Sequence, residues 1–182
     1  MIETLKYIRS DFYRRFGKCN FFSIKAILYF LYSSSMRFLV YFRLASSGFF
    51  VFSIIGKIMY FISPSRKRIQ IPIGTKIGYG FYIAHEGYIM INKNTVIGNN
   101  CNISQFCTIG SNTNFAPVIG NNCYIGPNSC IIENVVIGNS VCIGAGSVVV
   151  KNIPDNCTAA GNYAKVISKN NSDRFIQNKY SV

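Results

Sequence analysis

The 182-residue chain holds one histidine, His85, and seven cysteines with no Cys-x-x-Cys pair among them. Structural zinc sites draw on closely spaced Cys and His, so no metal is expected. A disulfide framework is not expected either, because no cleavable signal peptide opens the chain and three of the cysteines fall at one repeating small-residue position. The compartment this implies is the reducing cytoplasm. Long uncharged runs are missing too. Lys25, Arg37, Arg43 and Lys57 interrupt the apolar stretch 21–62, and its longest uncharged run, Leu44 to Gly56, is thirteen residues. A bilayer span needs about 20, which argues against a transmembrane helix. Acidic residues are scarce, six against nineteen Lys and Arg, for a net +13. Residues 1–70 carry +10 of that and 71–182 carry +3, so the two parts face different partners. Disorder is excluded by an apolar content of 49%.

What is present is a ladder. An aliphatic residue returns every sixth position at Ile97, Ile103, Ile109, Ile119, Ile125, Ile131, Ile137, Ile143 and Val149, with one step of ten between Ile109 and Ile119. Six fits neither a helix nor a continuous strand and reads as short strand, turn, short strand. Three such hexads close one triangular coil of about 18 residues, and coils stack at strand spacing, which is the register of a hexapeptide β-helix. Small or β-branched residues recur four places after the aliphatic one, at Cys101, Cys107, Cys123, Ser129, Val135, Val141 and Ser147, and read as narrow inward corners. A corner cysteine serves there as a small hydrophobe. An earlier register, Ile71, Ile77, Ile83 and Ile89, slips by two residues to Ile91. The spacing predicts a mainly β chain with about five coils over 69–167, after a helical arm over 1–68 and before a polar, loose tail over 168–182. The turn Lys151 to Asn156 should cap the coils.

In the arm, Leu5, Ile8, Phe12 and Phe16 space a basic amphipathic helix that Gly17 should stop. Two readings stand for the aromatic, basic stretch that follows. Two or three helices could pack on the β-helix end or on a neighbouring subunit with their Lys and Arg heads reaching water, or the arm could lie on an anionic membrane surface. Nucleic acid is the weaker partner, since the cations interleave with apolar residues and no recognition motif accompanies them.

The two irregularities of the ladder mark the chemistry. The slip brackets His85, whose side chain type is the usual general base near neutral pH. The ten-residue step must extrude a loop, Ser111 to Val118. Lys76-Ile77-Gly78-Tyr79-Gly80, Ala84-His85, Thr108-Ile109-Gly110, Ile143-Gly144-Ala145-Gly146-Ser147-Val148-Val149 and Thr158-Ala159-Ala160-Gly161 stand in the order found in left-handed parallel β-helix acyltransferases. The resemblance covers a little over half the chain and is nearest to the serine acetyltransferase branch, which also has a helix motif similar to Tyr41-Phe42-Arg43-Leu44-Ala45.

The resemblance implies direct acetyl transfer from acetyl-CoA in a ternary complex of a homotrimer, with His85 as the catalytic base. Backbone N–H groups at Gly110 and Ser111 would hold the oxyanion. The CoA arm would pass Gly126, Ala145, Ala160 and Gly161, and Lys151 and Lys165 would either meet its phosphates or stand solvated. A γ-type carbonic anhydrase of the same fold is excluded, because each chain offers one His. The departures concern the acceptor. Serine acetyltransferases carry Asp, His and Asp where this chain has Gln70, Pro72 and Ala84, and Arg-His-Pro where it has Phe115-Ala116-Pro117. With those charged groups gone, the acceptor pocket reads as Gln70, Tyr82, Glu86 and Phe115, suited to a sugar. Asn92 and Asn114 are candidates that serve equally as turn formers. Gln70, Glu86 or a carbonyl would orient His85.

The expectation is therefore an O-acetyltransferase acting on a hydroxyl of a cell-envelope or capsular sugar or lipid-linked glycan, cytoplasmic and possible as a peripheral protein at the inner face of the membrane. Serine acetylation and N-acetylation of an amino sugar are the alternatives. A catalytically silent β-helix scaffold is the reading from another class.

Overall fold

The computed structural model describes residues 1–17, 23–169 and 175–181. Four helices come first: α1 (Ile2–Phe16), α2 (Ile24–Tyr32), α3 (Ser34–Ala45) and α4 (Phe50–Ile62), followed by a 3₁₀ turn, Pro64–Lys67. As the sequence suggests, α1 stops at Gly17, which takes φ +73°, a left-handed value that a residue without Cβ adopts at little cost. Ser23 and Ser33 cap α2 and α3 by accepting from Ala26 N and Met36 N.

The solenoid follows as three parallel faces. The first holds β1 (Ile69–Gln70), β4 (Ile89–Ile91), β7 (Thr108–Gly110), β10 (Cys130–Ile132) and β13 (Val148–Val149). The second holds β2 (Lys76–Ile77), β5 (Val96–Ile97), β8 (Val118–Ile119) and β11 (Val136–Ile137). The third holds β3 (Tyr82–Ile83), β6 (Asn102–Ile103), β9 (Tyr124–Ile125), β12 (Cys142–Ile143) and β14 (Thr158–Ala160), closed by the antiparallel β15 (Lys165–Ser168).

The pairing reproduces the ladder and both of its faults. Ile119 pairs with Ile137 and Ile125 with Ile143, eighteen residues on. Across the slip, Ile83 pairs with Ile103, twenty on. Across the loop, Ile97 pairs with Ile119, twenty-two on. Extra residues are expelled at corners while the aliphatic columns stay in line, because sliding a strand by one residue would turn its buried side chain outward. The inward corners are as expected: Cys101, Cys107 and Cys123 Sγ each donate to a glycine carbonyl of the next coil at 3.0–3.1 Å, and Ser129 Oγ does so at 3.0 Å. Burial pushes the Cys107 thiol up to about 11, so it packs as a neutral group.

Four expectations are corrected. The turn 151–156 does not cap the solenoid. Ile153 bridges to Ile137 and the coil runs on to β14, so β15 does the closing. The tail is not loose where it is described. Ile176 is buried, Phe175 sits 4.7 Å from the Tyr124 ring, and Tyr180 N donates to Asn100 Oδ1. On α1, Ile8 and Phe12 are buried but Leu5 is 44% exposed, and the covered face includes Ser10, Asp11 and Arg14. Finally, Arg43 does not reach water, and neither does Arg14 on α1. Both are about 5% exposed and bind solenoid carbonyls, Arg14 that of Gly80 and Arg43 those of Ile77 and Gly78.

The arm is thus fixed to the first coil by polar contacts as well as apolar ones. Arg43 grips Asp11 with two bonds, of 2.9 and 3.1 Å, and Asp11 in turn accepts from Phe81 N. Phe38, Leu39, Phe42, Ala45 and Tyr60 join the isoleucine columns in one apolar core.

Candidate functional site

Three corners run the length of the solenoid, and the candidate residues divide between two of them. The corner from the third face to the first carries Ala84-His85 after β3, Ser104-Gln105 after β6, Gly126 after β9, Gly144-Ala145 after β12 and Gly161 after β14. These turns stack coil on coil: Ala84 N donates to Ile103 O, Ser104 N to Ile125 O, Gly126 N to Ile143 O and Gly144 N to Ala159 O. His85, Gly126, Ala145, Ala160 and Gly161 therefore line one edge, with His85 at the end nearest the arm. A Cβ at Gly126 would meet Ala145 N at 2.8 Å, so stacking itself demands glycine there and leaves a wall without side chains. Gly126 is buried, Ala160 half-buried, Ala145 and Gly161 exposed. Lys165 pairs with Ala160 across the last strands, which brings its exposed side chain to the same end.

His85 itself is exposed in the turn between β3 and β4. Among the described residues no hydrogen bond reaches its ring. Of the candidates for orienting it, Glu86 has another partner and Gln70 faces open space. Glu86 pairs with Arg68 Nη2 at 3.1 Å, and Gln70 lines an open cleft of about 570 Å³ with Tyr60, Phe61, Arg66 and Ile73. Tyr82 lies under the arm, its hydroxyl 3.2 Å from Arg15 Nη1, in a small polar hollow with Arg14, Asn102 and Gln177. Within this chain Gln70 thus faces the cleft beside α4 and Tyr82 faces α1, while Glu86 stays next to His85 in its turn and is paired with Arg68. Gln105, missed in the sequence, lies with its side chain against Gly87 of the His85 turn, and among the described residues its buried Oε1 has no partner. Its signal was its spacing, one coil of twenty residues after His85.

The loop stands on the next corner, from the first face to the second. Gly110 ends β7 and its carbonyl accepts from Glu133 N at 2.8 Å. Ser111 Oγ donates to Glu133 Oε2 at 2.9 Å, and Asn92 Nδ2 donates to Ser111 O at 3.3 Å. The loop base is braced from the coil on either side, and Glu133 is a second residue the sequence reading missed. Phe115 at the tip is 67% exposed. Lys151 follows β13 on this corner and not on that of His85. The first face separates His85 from the loop within one chain. A cleft of about 700 Å³ between the arm and the first coil is lined by Glu3, Tyr7, Arg43 and Lys76, and His85 is not among its lining residues.

Residues 116–151 match the bacterial transferase hexapeptide (six repeats). The chain is 37% identical across 110 residues to serine acetyltransferase 1, chloroplastic, of Arabidopsis thaliana, covering 58% of this chain and 35% of that protein. It is 37% identical across 100 residues to an Escherichia coli K12 protein provisionally named colanic acid biosynthesis acetyltransferase WcaB, covering 53% of this chain and 62% of that one. The chain spans about a third of the length of the first of these relatives. Among solved structures, serine acetyltransferase (CysE) of Neisseria gonorrhoeae is similar at a TM-score of 0.73 and 26% identity, over 91% of this chain and 67% of that one.

Proposed function

We propose that the hexapeptide-repeat chain is an acetyl-CoA-dependent O-acetyltransferase with His85 as general base. The observation that carries this is the single edge on which His85 heads a column of turns whose later members are Gly126, Ala145, Ala160 and Gly161. A CoA arm laid along that edge brings its thioester to the imidazole, with Lys165 beside the far end. The acceptor oxygen attacks the thioester carbonyl as His85 takes the hydroxyl proton. The tetrahedral oxyanion collapses, the C–S bond breaks, and the thiolate recovers the proton from His85.

Because His85 and the loop occupy different corners, backbone donors at Gly110 and Ser111, and Lys151 toward a phosphate, would come from a neighbouring copy in a closed ring. A trimer gives every site both corners.

For the acceptor, the names of the relatives weigh toward serine. A sugar hydroxyl is the second reading, favoured by Phe115-Ala116-Pro117 in the loop and by the resemblance to WcaB. The experiment is acetyl-CoA turnover, read by thiol release, against serine, free and lipid-linked sugars, nucleotide sugars and amino sugars. His85→Ala should lower turnover about 100-fold or more. Unchanged turnover would reject His85 as the base, and no turnover with any acceptor would favour the silent scaffold.

A further inference from the structure

Two helices of the arm turn apolar stripes away from the rest of the protein. On α4, Phe50, Ile54, Ile58, Phe61 and Ile62 are 43–75% exposed, while Gly56 and Tyr60 on the other side are buried. On α2, Ile24, Leu28 and Leu31 are 59–75% exposed and Ala26 alone is buried. Positions four, seven, eight and eleven apart make each set a stripe on one helix face. Polar side chains would be the ordinary choice there, because water-facing apolar stripes of this extent mark interaction sites.

The charge pattern identifies what covers them. Between Phe12 and His85 there are eleven Lys and Arg and no Asp or Glu. Arg14 and Arg43 are spent in the buried clasp and Arg68 on Glu86. Lys25 and Lys57 stand exposed on the two helices, Arg66 lies 4.7 Å over the Phe61 ring at the end of α4, and exposed Lys67 follows it. A second copy presenting the same face would bring these cations together over apolar surface with no carboxylate to pair them. An anionic bilayer suits both features, since the stripe enters the headgroup and acyl boundary while lipid phosphates meet the cations. At thirteen residues α4 is about 20 Å long, and no described helix is long and apolar enough to cross a membrane.

We infer that α2 and α4 dock this protein on an anionic membrane surface, lying in its plane. The inference does not depend on the acetyl-transfer reading.

Co-sedimentation of the full chain with vesicles tests it, using phosphatidylcholine alone or mixed with phosphatidylglycerol, at low and high salt. Binding is expected to the mixed vesicles and to weaken in high salt. The triple variant Lys57→Gln, Arg66→Gln, Lys67→Gln should bind about a hundredfold more weakly, at roughly fivefold per cation. The variant Ile54→Ser, Ile58→Ser, Phe61→Ser should lose at least about tenfold, with circular dichroism and thermal melting confirming that both variants fold. Lack of binding to the mixed vesicles at low salt, or binding that neither variant weakens, would overturn the inference. So would a larger assembly in sedimentation velocity that the apolar variant dissolves while wild-type protein ignores vesicles, which would assign the face to a second copy.

Discussion

Asp11 carries more of the fold than its place in a surface helix suggests. It is 1% exposed, holds the Arg43 guanidinium through two bonds and accepts from Phe81 N, and burial raises its carboxyl above the usual range against the pull of Arg43. Removing one partner of a buried pair strands the other charge, so Asp11→Ala should cost about 3–5 kcal/mol. The double variant Asp11→Ala, Arg43→Met should cost less than the sum of the two singles, because neither charge is then orphaned. Urea unfolding of the four proteins checks this, and strictly additive losses would show that the two side chains act separately. The sequence showed Arg43 as a charge interrupting an apolar stretch and as part of a helix motif, and neither view told of its burial. Its burial depends on Asp11, thirty-two residues away, and on carbonyls of the first coil, and local patterning contains neither. The partner of the Tyr82 hydroxyl was hidden for the same reason, since it is Arg15 on α1. His85 stood out as a candidate because it is the chain's one histidine and sits at a register fault; the contact of Gln105 with the His85 turn did not, because an amide in a turn looks like any other until the coil length is known.

At the scale of elements, two kinds of column run down the solenoid and they contribute unequally. Inside are the isoleucines, Ile109 among them at 1% exposure. Outside, on the corner between the second and third faces, Asn99 N donates to Asn121 Oδ1, Asn121 N to Asn139 Oδ1 and Asn139 N to Asp155 Oδ1, all at 2.7–2.9 Å. The residues that follow, Asn100, Asn122, Ser140 and Asn156, take φ of +53 to +57°, a conformation that asparagine tolerates better than most side chains. Ile109→Ala leaves a cavity between two coils and should cost about 2–5 kcal/mol. Asn121→Ala removes exposed bonds that water can replace and should cost about 1 kcal/mol. Thermal unfolding of both variants tests the order, and an equal or reversed order would make the asparagine ladder the chief support. The inner column was legible because burial imposes period six on every coil. The outer ladder was not legible, because its bonds join residues one coil apart.

For the whole molecule, the question is whether one chain holds a complete site. His85 stands where the third face meets the first, and the loop braced by Glu133 stands where the first face meets the second. If the site needs both, it lies between copies. Two defective chains then restore each other: His85→Ala, and a chain with residues 112–116 replaced by a short Gly-Ser turn. Each alone should be inactive. Co-expressed in equal amounts, they should assemble rings in which an intact His85 corner faces an intact loop corner at about a quarter of the sites, by random placement around a closed ring. Turnover would recover to about that fraction of wild type. If instead His85 and the loop of the same chain meet by a rearrangement, every mixed ring keeps one defect per site and turnover stays at the level of the single variants. The measurement is thiol release from the purified mixture, with mass spectrometry confirming that both chains share one assembly.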